Sequence, residues 1–147
     1  MTIKLCEQTF NPWQEVETYQ QQAIMKGKYG ACSVFVGTMR DFNQDETVKS
    51  MFLEHYPGMT EKQLQRIAEQ AAQQWSILDH LIMHRVGEVI PDDTLVLVAT
   101  WSAHRGDAFD ASRFIMERLK TSAPFWKKET LVSGKERWVD KNSDGYQ

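Results

Sequence analysis

The stretch from residue 60 to residue 75 restricts the fold more than any other. Leu64, Ile67, Ala68, Ala71, Ala72 and Trp75 recur at i, i+3, i+4, i+7, i+8 and i+11, the period of a helix that buries one face. Thr60 with Gln63 three residues later predicts a capping box at its start, and Pro57-Gly58 before it marks a turn. A helix of this kind must lay its apolar stripe on another layer. The flanking segments read as strands. "VKSMFLEHY" precedes it, "ILDHLIMHRVGEVI" supplies one strand and a short second one around Gly87, and "TLVLVATWS" is rich in the β-branched residues of a central strand.

The rest of the chain follows the same alternation. "TIKLCEQ" reads as a first strand, and Asn11 caps a helix that has Pro12 at its first position and runs to about Ala23. From Gly30 to about Thr38 a strand places Cys32, Val34 and Val36 on one face and Ala31, Ser33 and Phe35 on the other. "RDFNQDET" reads as a polar loop. A third helix is expected from about Ala103 to Thr121, stopped by Pro124. "FWKKETLV" and "ERWV" form a closing hairpin around Ser133-Gly134, and the tail from about residue 140 is expected to fray. This order predicts one α+β domain over residues 1–147, with a mixed, mostly antiparallel sheet and helices on one face.

Composition narrows the function classes. A net charge of −3 and a pI near 5.8 argue against a general nucleic-acid binder, which carries basic excess. The longest apolar run, Leu95 to Ala99, is far too short to span a bilayer, and the N-terminus has no signal-peptide h-region. Two cysteines, Cys6 and Cys32, are too few for a disulfide scaffold or a zinc site, so a reduced, cytosolic setting is expected. His55, His80 and His84 lack metal-ligand spacing, and Cys32 reads as a buried core thiol.

Basic residues carry the candidate chemistry. Arg40 follows a buried strand, where a guanidinium can grip a phosphate or carboxylate through two bonds or simply be solvated. His104 and Arg105 open the third helix, where acidic residues are favoured. They point either to an anion bound at the helix start or to pairing of Arg105 with Asp107 or Asp110. "LKTSAPFWKKE" carries Lys120 at a helix end and Lys127 and Lys128 in the next strand. Lys120 shares a stripe with Phe109, Arg113 and Met116. If that stripe packs, the lysine is partly desolvated and its proton affinity falls. Lys127 and Lys128 alternate, so only one of them faces inward, and Lys127 shares its side with Phe125 and Glu129.

"LEHYPGMTEKQL", "HRVGEV", "SAHRGDAF", "FIMERLKTSAPFWKKE" and "RWV" together resemble the large, catalytic subunit of molybdopterin synthase, from about Gly30 to Val139. The resemblance implies an α/β hammerhead-type fold with an added antiparallel subdomain. It implies transfer of sulfur to cyclic pyranopterin monophosphate, forming the dithiolene of molybdopterin. The sulfur comes from the C-terminal Gly-Gly thiocarboxylate of a small ubiquitin-like carrier subunit, so no cysteine of this chain and no cofactor or metal is called for. A homodimer forms the core of a heterotetramer in this family.

By the same resemblance Lys120 and Lys127 match the catalytic pair. Thr38, Met39, Arg40, His104, Arg105, Lys120, Lys127, Lys128 and Glu129 match substrate-binding positions. Thr38 stands where the family often has lysine, so any cationic help there is lost. On this reading Arg40, His104 and Arg105 hold the phosphate, and Lys120 stabilises an oxyanion or moves a proton. Lys127 orients the tail or the pterin, and His104 is an alternative acid or base. Two rival readings stand beside it. One is a persulfide sulfurtransferase using Cys32 or Cys6; the other is a non-catalytic module that only docks the partner's tail.

Overall fold

A computed structural model describes residues 1–139. The expected frayed tail lies outside the described residues. The element order is β1 (Thr2–Cys6), α1 (Pro12–Ala23), β2 (Ala31–Thr38), β3 (Phe42–Asn43), β4 (Glu46–His55), α2 (Met59–Gln74), β5 (Ile77–Arg85), β6 (Gly87–Val89), β7 (Thr94–Ser102), α3 (Arg105–Thr121), β8 (Phe125–Leu131) and β9 (Glu136–Trp138). The first sheet runs β1-β5-β7-β2, with β1 parallel to β5 and the other pairings antiparallel. The second runs β3-β4-β8-β9, with β6 on β4, and is antiparallel throughout. These are the mixed sheet and the added antiparallel subdomain expected from the sequence.

Helices cover both faces of the first sheet, not one. Leu64, Ile67, Ala68 and Ala71 of α2 and Ile115, Met116 and Leu119 of α3 pack on Ile82, Val96 and Val98. On the other face Val16 and Tyr19 of α1 pack against Leu81, Met83, Leu97, Ala99 and Trp101. The near-continuous apolar runs in β5 and β7 are what burial on both faces requires. Each fully buried Leu or Ile here contributes about 1.5–3 kcal/mol.

Local chemistry shifts several boundaries. The expected loop at 41–47 is a tight hairpin. Gln44 and Asp45 sit at φ 53° and 63°, joining β3 to β4 with two left-handed residues as a type I′ turn does. Helix α2 begins at Met59, so Thr60 lies inside the first turn and is not its cap. The Glu61 carboxylate instead accepts from the Gly58 N–H at 3.2 Å. Helix α3 begins at Arg105 with His104 at the N-cap.

Two connections place the site. Gly87, at φ 83°, lets the chain leave the first sheet and enter the second. Arg85 beside it is buried and donates to the carbonyls of Cys6, Glu7 and Glu88. At the second connection Pro124 ends α3 and the chain returns as β8. The buried Thr60 hydroxyl accepts from the Tyr56 N–H at 2.9 Å and donates to the Pro124 carbonyl at 3.2 Å. The start of α2 is thereby tied to the corner that follows α3.

Candidate active site

Lys120 closes α3 and Lys127 lies in β8, on either side of the Pro124 corner. Both are half-buried. Their side chains hydrogen-bond to each other. A single helix cannot produce this approach; the corner does. Burial lowers the proton affinity of Lys120, and the Arg40 charge lowers it further, while the Lys127 bond and the Glu117 carboxylate oppose the change. Burial also brings Lys127 down to about 7, reinforced by Lys120 and Arg40 and opposed by Glu129. A desolvated ammonium facing two other cations sheds its proton more readily. Both amines therefore give up their protons more readily than an exposed lysine does.

Arg40 belongs to this cluster, since its charge acts on both lysines. It is exposed and lies over the Phe42 ring at 5.0 Å. Thr38 is exposed beside it, at an irregularity in the β2–β7 register. Met39 is buried in the small core under the second sheet, with Val48, Met51, Leu53, Val89 and Leu131, so its side chain supports the Arg40 turn from below.

Glu129 shares the Lys127 side of β8, as alternation requires, but its carboxylate is committed. It is only 5% exposed and accepts from Arg137 Nε at 2.9 Å and from Asn43 Nδ2 at 3.1 Å. Arg137 also reaches the Asn43 carbonyl at 2.8 Å and the Glu46 carboxylate. This network locks the β3–β4 hairpin to β8 and β9, and it gives Glu129 a bracing position behind Lys127. Lys128 points the other way. It pairs with Glu136 at 2.8 Å and sits 5.8 Å from the Trp138 ring, over an outer groove of about 450 Å³ that Phe52 also lines.

His104 and Arg105 are not brought to the lysines. Both are exposed at the N-terminal end of α3, while Lys120 is at its C-terminal end. Arg105 and Lys120 are fifteen positions apart in α3, about 22 Å along a helix at 1.5 Å per residue. Arg105 makes no ion pair with Asp107 or Asp110 among the described residues. The expected packing of Phe109 does not occur either: it is 62% exposed, whereas Met116 is buried.

Neither thiol is placed for nucleophilic work. Cys32 is exposed and not the buried core residue expected, because β2 is the edge of its sheet. Partial desolvation pushes it up to about 11, and burial also raises Cys6, so both hold their protons at neutral pH. Sequence reasoning passed over His84, Phe125, Asn43 and Arg137. The His84 ring is buried and stacks on Phe125, with centroids 3.9 Å apart and planes 11° from parallel. The alternation in "LIMHR" was the available signal, since it sets His84 on the same side of β5 as the core residue Ile82.

A helix end, a returning strand and a strand-end arginine thus define a small α+β domain with a cluster of three cations, suited to an anionic ligand. The family model described as MoaE protein matches residues 9–122, and the chain belongs to that family. A relative from Pseudomonas aeruginosa, named molybdopterin synthase catalytic subunit, is 48% identical over 140 residues, covering 95% of this chain and 91% of its own. The solved molybdopterin biosynthesis MoaE protein from Burkholderia ambifaria superposes with a TM-score of 0.79 at 48% identity, covering 99% of this chain and 92% of that one. Molybdopterin synthase from Staphylococcus aureus superposes with a TM-score of 0.80 at 29% identity, covering 92% and 94%. Among the described residues no helix is long and apolar enough to cross a membrane.

Proposed function

We propose that this chain is the catalytic subunit of a molybdopterin synthase, a sulfur-transfer enzyme. It moves sulfur from the thiocarboxylate tail of a small ubiquitin-like subunit to cyclic pyranopterin monophosphate. The observation that carries this reading is the hydrogen-bonded Lys120–Lys127 pair beside Arg40. Both proposed reactants are anions, and a charge pair at 4 Å is worth about 4 kcal/mol at an effective dielectric of 20. The pair also supplies both halves of proton transfer from one place. The thiocarboxylate sulfur adds to an electrophilic carbon of the pterin; water then attacks the tail's acyl carbon, the ammonium of Lys120 meets the oxyanion that develops, and the acyl C–S bond breaks to leave sulfur on the pterin and a carboxylate on the tail. Lys127 orients the tail and, in its neutral form, takes up a proton.

The length of α3 supports a different site for His104 and Arg105. At about 22 Å from Lys120 they serve the site of the partner protomer in a homodimer, where the exposed start of α3 supplies phosphate-binding cations. Glu129 acts through the Arg137–Asn43 network that holds β8 in place, and Lys128 lies on the outer face. Thr38 leaves cation binding at that strand end to Arg40.

A single-turnover assay tests the reading. This chain, a thiocarboxylated small subunit and the cyclic pyranopterin are mixed and dithiolene formation is followed, with folded Lys120→Ala as control. Product from the parent and almost none from the variant is the expected result. Tail binding by the parent without product would overturn it in favour of a docking module.

A further inference from the structure

We propose that His84 is a positioning residue for the lysine pair. Its ring and that of Phe125 form a stacked floor that fixes the start of β8 and keeps water from reaching Lys127 and Lys120 from below. This rests on the reading of the two lysines as the reacting groups.

Three observations converge on it. First, His84 is 6% exposed, deep burial for a histidine that forms no ion pair with a carboxylate among the described residues. It lies on the face of β5 that carries Ile82, at the end of the core under α2 and α3. Second, its orientation is held from two sides. Phe125 stacks on the ring face at 3.9 Å, and Nδ1 lies 2.7 Å from the Arg85 carbonyl oxygen. A carbonyl only accepts, so Nδ1 carries the hydrogen. Third, Phe125 is the first residue of β8, two positions before Lys127 and on the same side. Fixing Phe125 therefore fixes the root of Lys127.

The electrostatic setting agrees with this geometry. Burial, together with the charges of Lys120 and Lys127, holds His84 down to about 3, so it adds no further positive charge below the pair. The charged groups acting on the lysines come from the other elements: Arg40 after β2, Glu117 on α3 and Glu129 on β8. Desolvation is the largest cause of the lowered proton affinity of both lysines, and a flat neutral floor is what sustains desolvation on that side.

The test reads the amines directly and needs no turnover. His84→Ala, His84→Phe and Phe125→Leu are made in the full chain, and folding is checked by thermal melting. Each lysine's acetylation by limiting acetic anhydride is then mapped by mass spectrometry from pH 6 to 10. In His84→Ala water enters below the pair. The Lys127 midpoint is expected to rise by about one pH unit, with roughly fivefold less labelling at pH 7. His84→Phe keeps the stack and should stay near the parent. If His84→Ala fails to fold, Phe125→Leu opens the same floor from the other ring and should shift the midpoint in the same direction. A folded His84→Ala, or failing that a folded Phe125→Leu, with the parent midpoint at Lys127 overturns the proposal, whatever happens to its melting temperature. Should labelling shift as expected in a chain that makes no dithiolene, the floor stands and the sulfur-transfer reading falls.

Discussion

Replacing Lys127 by methionine should make the protein more stable and less active at the same time. In the fold, burial and the neighbouring cations bring the Lys127 amine from 10.5 to about 7. The unfolded chain therefore binds more protons than the folded one between these two values, so stability rises with pH across that window. Below pH 7 the folded state bears the full burden of a desolvated ammonium. At about 1.4 kcal/mol for each tenfold change in proton affinity, the drop sets an upper bound of about 5 kcal/mol. Solvent screening at this half-exposed position reduces it, and a gain of about 1–2 kcal/mol is the expected size. Methionine keeps the length and the apolar stem of the side chain, so no large cavity opens. Urea unfolding of parent and Lys127→Met at pH 6.5, 8 and 10 measures the difference. The variant should be the more stable at pH 6.5, with the advantage shrinking towards pH 10, while its single-turnover rate collapses. A variant less stable than the parent at pH 6.5, or a difference that does not change with pH, would refute the reasoning.

The remaining predictions test other parts of the arrangement. Mixed dimers of Lys120→Ala and Arg105→Ala chains should recover about a quarter to a half of parental turnover although each homodimer is nearly inactive, because one pocket of the mixed dimer is left whole; no recovery would show that Arg105 acts within its own chain. Glu129→Ala leaves Arg137 and Asn43 without their buried acceptor, and should lower the free energy of unfolding by about 3 kcal/mol; equilibrium denaturation reads this, and an unchanged midpoint would remove Glu129 from the bracing network. Cys32→Ala should change turnover by less than about twofold, since its thiol is held protonated at the edge of the sheet; a collapse in turnover with the fold preserved would instead favour a persulfide route.

The helix of residues 59–74 and the two apolar central strands were legible because their apolar spacing is strong and local. So was the corner at Pro124, since a missing N–H and a fixed φ act within one turn of the chain. The β3–β4 hairpin was not, because Gln44-Asp45 lacks the glycine or asparagine that usually announces left-handed turn residues. Thr60 matched a capping signature and yet serves a different partner, the Pro124 carbonyl 64 positions away. Phe109 fitted the stripe of α3 and remains exposed, because periodicity assigns residues to a face without saying whether anything covers it.

The sequence by itself determined which residues could bear charge and where the chain must turn. Lys120, Lys127 and Arg40 were visible as cations at a helix end, in a strand and after a strand. Only the tertiary structure decided that these three charges act on one another, that Lys128 faces the outer groove, and that His104 and Arg105 lie a helix length away. The physical reason is range. Capping, turn chemistry and periodicity act over a few residues and are written in the local sequence. Desolvation and charge coupling depend on what the fold brings within a few ångströms, and they lower the proton affinity of two otherwise ordinary lysines.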